Sequence, residues 1–272
     1  RLRPMPVVMV SSLMAPRSAM TDMACRLGAV ECFSKSSGMQ GEAVFAGLAD
    51  AVVRAAVQTG KSHSGKSQGH SVVSDTIVAI GASTGGVEAL GEVLGSFPED
   101  CPPTIIVQHM PQQFSNNFAR RLNAISRPDV SLVTDGCKLT RGKVFIAPGG
   151  EAHTEVSRTG RVSPYSCHLV SGPPLNGHRP SVDALFLSVA QAAGRLAIGV
   201  ILTGMEADGA RGLLAMRRAG ARTIGQDRET SVIYGMPKAA FECGAVEMQL
   251  PLPEIGPSIL RLSEYRTQES YQ

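Results

Sequence analysis

The sequence predicts an α/β fold: a doubly wound, mostly parallel sheet with helices on both faces and a small antiparallel hairpin, preceded by a separate β-α-β-α fragment. Three observations carry this. From residue 74 onward, short β-branched runs alternate with stretches of helical periodicity. Their alternating order, with runs such as 76–80 and 198–202 largely apolar, argues for a mostly parallel sheet covered on both faces. Before them, the segment 57–73 is dominated by Gly, Ser, Lys and His, which cannot bury enough apolar surface to order, and reads as a flexible linker.

In chain order, the fragment before the linker contains two strand-like runs, 6–10 and 29–33, separated by a helix-like segment carrying Met20, Met23 and Leu27. A further helix is expected over 43–56, where Val44, Leu48 and Val52 recur four residues apart. After the linker, strands are expected over 76–80, 104–108, 144–147, 198–202, 222–225 and 245–250. Between them, helices are expected over 86–94, 115–125, 182–193, 209–218 and 253–264. The stretch around Glu155 to His168 is different: short polar-apolar runs flank Gly160, which predicts a hairpin or antiparallel edge. The resulting division is 1–56 for the fragment, 57–73 for the linker, 74–265 for the main domain and 266–272 for a tail.

Composition narrows the function classes. With 272 residues, 43% hydrophobic and 18% charged, the chain can form one full core and a smaller unit. A net charge of +3 without tryptophan or aromatic-basic interleaving argues against nucleic-acid binding. The six cysteines never form Cys-x-x-Cys and read as reduced, mostly structural residues. Apolar runs fall short of the roughly 20 residues a membrane span requires, so no membrane insertion is expected and the cytoplasm is the default location. The absence of an initiator Met before an early strand-like run suggests a chain that begins inside a larger protein.

The segment Gly81-Ala82-Ser83-Thr84-Gly85-Gly86 follows a strand-like run and leads into a helix. A strand-turn-helix of this kind holds a serine hydroxyl up at the sheet edge as a nucleophile. The same glycine-rich turn also builds phosphate and dinucleotide sites, and Tyr234 with Lys238 supplies the Tyr-x-x-x-Lys of a short-chain dehydrogenase. Gly235 and Pro237 lie between those two residues, however, and an interior proline costs a helix about 3 kcal/mol. Tyr234 to Lys238 is therefore read as a turn.

In open α/β sheets, ligands sit at the carboxyl ends of strands. Ser83, His109 and Asp208 each follow a strand-like run and together form a nucleophile, base and acid set. Met110 and Pro111 direct the chain out of the strand just after His109. Each residue also has a structural alternative: a hydroxyl serving its own turn, a hydrogen-bonded strand end, and the N-cap of the helix expected from Gly209. Arg179 lies near the same edge and is a candidate for holding an acidic substrate, the alternative being a solvated loop arginine. His63, His70, His153 and His168 show no metal-ligand spacing, so no metal and no cofactor is expected.

The segments Gly81 to Gly86, Gln108-His109-Met110-Pro111, His178-Arg179-Pro180-Ser181-Val182-Asp183, and Leu202-Thr203-Gly204-Met205 with Asp208-Gly209-Ala210 resemble the chemotaxis protein-glutamate methylesterases. The resemblance covers about 76 to 262 and implies an esterase domain joined by a linker to a receiver domain. It implies removal of methyl esters from glutamates of methyl-accepting chemoreceptors, and deamidation of certain receptor glutamines. By the same motifs Ser83 is the nucleophile, His109 the base and then the acid, and Asp208 the residue that orients and supports the imidazolium. Thr84 is implied as a supporting hydrogen-bonding residue and the Met205 amide as an oxyanion donor. The dehydrogenase reading is set aside on the same grounds.

One departure bears on activity: the usual Leu-Thr-Gly-Met-Gly-x-Asp-Gly carries Glu206 where the pattern has glycine. If that position requires φ > 0, glutamate resists it at about 1 kcal/mol or more, and its charge opposes an oxyanion. A catalytically impaired, receptor-binding adaptor is therefore the alternative to an active esterase. The N-terminal fragment resembles the second half of a receiver, with Ser11 in the hydroxyl position and Lys35 as the phosphate-sensing lysine. The phosphoacceptor aspartate is absent from this chain. The chemotaxis histidine kinase is the partner implied for a full-length protein, and the esterase domain is expected to be constitutively accessible if the half-receiver fails to fold.

Overall fold

The structure, a computed structural model, describes residues 7–11, 29–34, 76–160 and 164–269. It divides into two compact units, Arg1–Gly69 and His70–Gln272. In the first, strand β1 (Val7–Ser11) pairs in parallel with β2 (Ala29–Ser34), Val10 opposite Phe33. The helix expected over 43–56, the helix-like segment with Met20, Met23 and Leu27, Lys35 and the linker 57–73 lie outside the described residues.

The second unit is built on a seven-stranded sheet. Its strands are β3 (Ile77–Ala82), β4 (Thr104–Gln108), β5 (Asp129–Leu132), β6 (Lys143–Ile146), β9 (Ala197–Ile201), β10 (Arg222–Gln226) and β11 (Met248–Leu250). They lie in the order β11-β10-β9-β3-β4-β6-β5, and every neighbouring pair is parallel. The expected hairpin forms a separate antiparallel pair, β7 (Ala152–Arg158) and β8 (Tyr165–Ser171), with Ser157 opposite Ser166.

Both faces of the sheet are covered. On one, α1 (Gly86–Gly95), α2 (Gln112–Ile125) and α6 (Leu252–Glu269) set Leu90, Leu94, Phe118, Leu122 and Ile255 against Val78, Ile80, Ile106 and Val200. On the other, α3 (Val182–Ala193), α4 (Ala210–Arg218) and α5 (Met236–Glu242) set Leu185, Phe186, Leu213 and Met236 against Ile77, Ile105 and Ile201. The hairpin adds Val156, Tyr165 and Cys167 to this second face. Successive residues of β3 thus alternate between two cores, which is why the strand is apolar throughout. Each fully buried Ile, Leu or Phe contributes about 1.5–3 kcal/mol.

Two elements differ from the sequence expectation. Strand β5 was not expected, since Asp129-Val130-Ser131-Leu132 is a short edge strand with a single fully buried residue, Val130. Tyr234 to Lys238 is not simply a turn: α5 begins at Met236, with Gly235 as its N-cap and Pro237 in the first turn. There the missing proline N–H costs nothing, because the first N–H groups of a helix have no intrahelical partner. The helix interior therefore escapes the penalty on which the turn reading rested.

The sheet order places the topological switch between β3 and β9, where the chain winds off in opposite directions. The segments that leave β3, β4 and β9 are the ones carrying Ser83, His109 and Asp208.

Candidate active site

Ser83 leaves β3 in a turn that glycine makes possible. Gly85 takes φ 82° as the N-cap of α1, a left-handed conformation that suits glycine. A Cβ at Gly86 would stand 2.1 Å from Gln108 Oε1 and 2.7 Å from Ala82 Cβ, so the helix can start this close to the sheet only with glycine there. The turn is then pinned through its backbone. Ser83 N–H donates to Thr203 O (3.0 Å), while Ser83 O accepts from Gly86 N–H (2.8 Å) and Gln108 Nε2 (2.9 Å). The hydroxyl takes no part in this scaffold and is half-buried.

His109 occupies the equivalent position one strand over. In the β3–β4 register Ala82 pairs with Gln108, and His109 N–H donates to Ala82 O at 3.1 Å, so Ser83 and His109 are the next residues of adjacent strands. The imidazole is 8% exposed, and its Nε2 lies 2.9 Å from Asp208 Oδ2. Its Nδ1 is buried and has no hydrogen-bond partner among the described residues. No hydrogen bond joins Ser83 to His109, as is common before substrate binds.

Asp208 is fully buried. It is not the N-cap of the helix that follows it: Gly209 holds that position, at φ 93°. Its carboxylate instead faces the N-terminus of α3, where Val182 N–H (2.7 Å) and Asp183 N–H (3.2 Å) donate to it, together with Ser181 Oγ (2.8 Å) and Asn176 Nδ2 (3.0 Å). Helix N–H groups without intrahelical partners favour an anion here. Burial alone would raise the Asp208 pKa, but the hydrogen bonds from His109, Asn176, Val182 and Ser181 outweigh it and hold the carboxyl at about 2, below its usual 3.8.

An ionised carboxylate only accepts hydrogen bonds, so His109 Nε2 carries the proton and Nδ1 carries the lone pair.

This depressed pKa has a consequence for stability. The contribution of Asp208 is present above the unfolded pKa near 4 and is lost as pH falls through the folded value. Between about pH 4 and pH 2 the protein is expected to lose about 2 kcal/mol from this group. Urea unfolding at stepped pH should show that slope, and Asp208→Asn should flatten it.

The other expected residues fall as follows. Thr84 is exposed, and its carbonyl accepts from Thr203 Oγ1 at 2.9 Å. Gly204 O accepts from Gly235 N–H (3.1 Å) and Met236 N–H (2.9 Å) at the start of α5. The Met205 N–H belongs to the same trans peptide and so points away from α5. Gly204 itself lies against Ser83, since a Cβ there would meet Ser83 Cβ at 2.8 Å. Arg179 donates to two backbone carbonyls, Gly150 O (2.9 Å) and Gly172 O (2.8 Å), and lines a cleft of about 300 Å³ with His109, Met110, Pro111 and His178.

Asn176 escaped sequence reasoning, and so did the contacts of His178 and Glu206. Asn176, at φ 51°, donates from Nδ2 to both Asp183 and Asp208. His178 stacks on His109, with centroids 3.7 Å apart and planes 8° from parallel. Glu206 adopts φ 68°, the left-handed conformation that makes a glycine preferable, at a cost of about 1 kcal/mol. Its carboxylate lies 2.9 Å from His178 Nε2. The Asn176-Gly177 pair was a readable turn signal, but its link to Asp208 is tertiary.

The family model described as CheB methylesterase matches residues 78–259. The chain is 57% identical to the protein-glutamate methylesterase/protein-glutamine glutaminase of Gluconobacter oxydans (strain 621H), over 100% of this chain and 78% of that protein. It is 50% identical to the protein of the same description from Agrobacterium fabrum (strain C58), over 98% and 78%. The crystal structure of the Thermotoga maritima CheB methylesterase catalytic domain superposes with a TM-score of 0.66 at 35% identity, covering 70% of this chain and all of that one. This agreement extends over the sheet that carries Ser83, His109 and Asp208, and the chain belongs to the CheB methylesterase family.

Proposed function

We propose that this chain hydrolyses glutamyl methyl esters on chemoreceptors, and the side-chain amides of certain receptor glutamines, through an acyl-enzyme on Ser83. The observation that carries the mechanism is the His109–Asp208 bond, which leaves Nδ1 as the unpaired ring nitrogen of the residue that follows β4 as Ser83 follows the adjacent β3. Ser83 Oγ attacks the ester carbonyl while His109 Nδ1 takes its proton. The tetrahedral oxyanion collapses, and methanol leaves with the proton returned by Nδ1. Water, deprotonated by the same nitrogen, then attacks the acyl-enzyme and releases glutamate and Ser83. With a glutamine the leaving group is ammonia.

Asp208 stabilises the imidazolium formed in each half-reaction. The Met205 amide is the oxyanion donor, a contribution typically worth about 3 kcal/mol. Thr84 supports the turn, and Arg179 orders the cleft wall and is the candidate for holding an acidic substrate flank. The chain works in the cytoplasm on the cytoplasmic parts of chemoreceptors, and the chemotaxis histidine kinase is the phosphodonor to a complete receiver. The enzyme names of the relatives support activity over an impaired adaptor. So does Glu206, which reaches φ 68° and engages its carboxylate with His178.

The test is release of methanol from membranes bearing methylated chemoreceptors, before and after stoichiometric modification of the chain by a sulfonyl fluoride. Release that stops on modification of one serine is the expected result. Absence of methanol from the unmodified chain would contradict the reading.

A further inference from the structure

We infer that Glu206 is a positioning residue for this reaction, acting on the base through His178. The inference rests on the esterase reading above. Among the described residues His109 is hydrogen-bonded through one ring atom, Nε2 to Asp208, so the tilt of the ring is set by what packs against its faces. The stacked ring of His178 covers one of those faces, with centroids 3.7 Å apart and planes 8° from parallel.

His178 must itself be held. Its backbone closes a tight turn with Leu175, His178 N–H donating to Leu175 O (2.9 Å) and Leu175 N–H to His178 O (3.1 Å), across Asn176 and Gly177 at positive φ. Its side chain is 26% exposed, and the hydrogen bond that fixes the imidazole is the one from Nε2 to Glu206 Oε2. Glu206 is 55% exposed and sits in a backbone conformation that glutamate adopts at a cost. A glycine would occupy that conformation freely, yet would offer nothing to His178. Two carboxylate–imidazole pairs thus lie face to face, and the outer pair, Glu206 with His178, clamps the inner pair, Asp208 with His109.

The test compares the full chain with Glu206→Gly and Glu206→Gln, in methanol release and by NMR. Glu206→Gly should raise the melting temperature by relieving φ, yet lower kcat about tenfold with KM little changed, as a small misplacement of a base does. Glu206→Gln, whose Oε1 can still accept from His178, should restore kcat to within about twofold, the rescue expected where a hydrogen bond rather than a charge does the positioning. The ring-proton shifts of His109 should carry the ring current of His178 in the parent and in Glu206→Gln, and lose it in Glu206→Gly.

Unchanged kcat and unchanged His109 shifts in Glu206→Gly would overturn the inference, as would a rise in KM alone. The NMR arm is independent of turnover. A parent chain that releases no methanol but shows the shift pattern would therefore count against the esterase reading and not against the clamp.

Discussion

Ser83→Ala is expected to lower kcat for methyl-ester hydrolysis by roughly 10⁴- to 10⁶-fold, the scale seen when the nucleophile of a concerted serine machinery is removed. Fold stability should barely change. The interactions that hold this turn run through the Ser83 N–H and carbonyl, to Thr203, Gly86 and Gln108, and survive the substitution. Among the described residues the hydroxyl has no hydrogen-bond partner, and Ser83 is only half-buried, so its loss should cost within about 0.5 kcal/mol. Methanol release and thermal unfolding on the same preparations separate the two effects. A variant that unfolds early would show that Ser83 serves the turn instead, which was the structural alternative for this residue.

The second large effect is expected at Asp208. Asp208→Asn should lower kcat by roughly 10⁴-fold, as a carboxylate-to-amide change behind a catalytic histidine does when it reverses the tautomer. Unlike Ser83→Ala, it should also destabilise the fold. Five donors converge on this carboxylate: His109 Nε2, Asn176 Nδ2, Ser181 Oγ and the Val182 and Asp183 amides. An asparagine offers one oxygen and turns an NH₂ group toward the remaining donors. Leaving buried donors unpaired in this way costs about 1–3 kcal/mol. Urea unfolding above pH 5 measures the stability loss, and single-turnover hydrolysis measures the chemistry.

The contrast between these two variants follows from where each side chain stands. Ser83 is presented by the scaffold, whereas Asp208 is part of it. Asp208 ties β9's exit segment to the first turn of α3, so the group that orients His109 also closes the second unit's core at this edge.

The triad candidates were legible because each follows an apolar strand-like run, and parallel sheets gather such positions at one edge. The order of motifs then pointed to the family. The partners of those residues were not legible. Asn176 and Ser181 reach Asp208 because α3 packs its N-terminus against the loop after β9, a contact between segments 25 or more residues apart. His178 was visible only as part of a motif, and its stacking on His109 depends on the turn that begins at Leu175. Glu206 was legible as a departure from the pattern, and the expected demand for positive φ is met at 68°. Its engagement with His178 was not. Secondary structure failed where local signals were weak or conflicting. Strand β5 carries too few apolar residues, and Pro237 breaks a helix only when it lies beyond the first turn.

In the proposed mechanism Asp208 holds His109 with the proton on Nε2 and the lone pair on Nδ1, which makes Nδ1 the base toward Ser83. The most direct test is a long-range ¹H–¹⁵N correlation spectrum of the labelled chain at neutral pH, with His109 assigned by its substitution. The expected result is that the neutral form of the His109 ring carries its proton on Nε2. A His109 protonated at Nδ1 would contradict it.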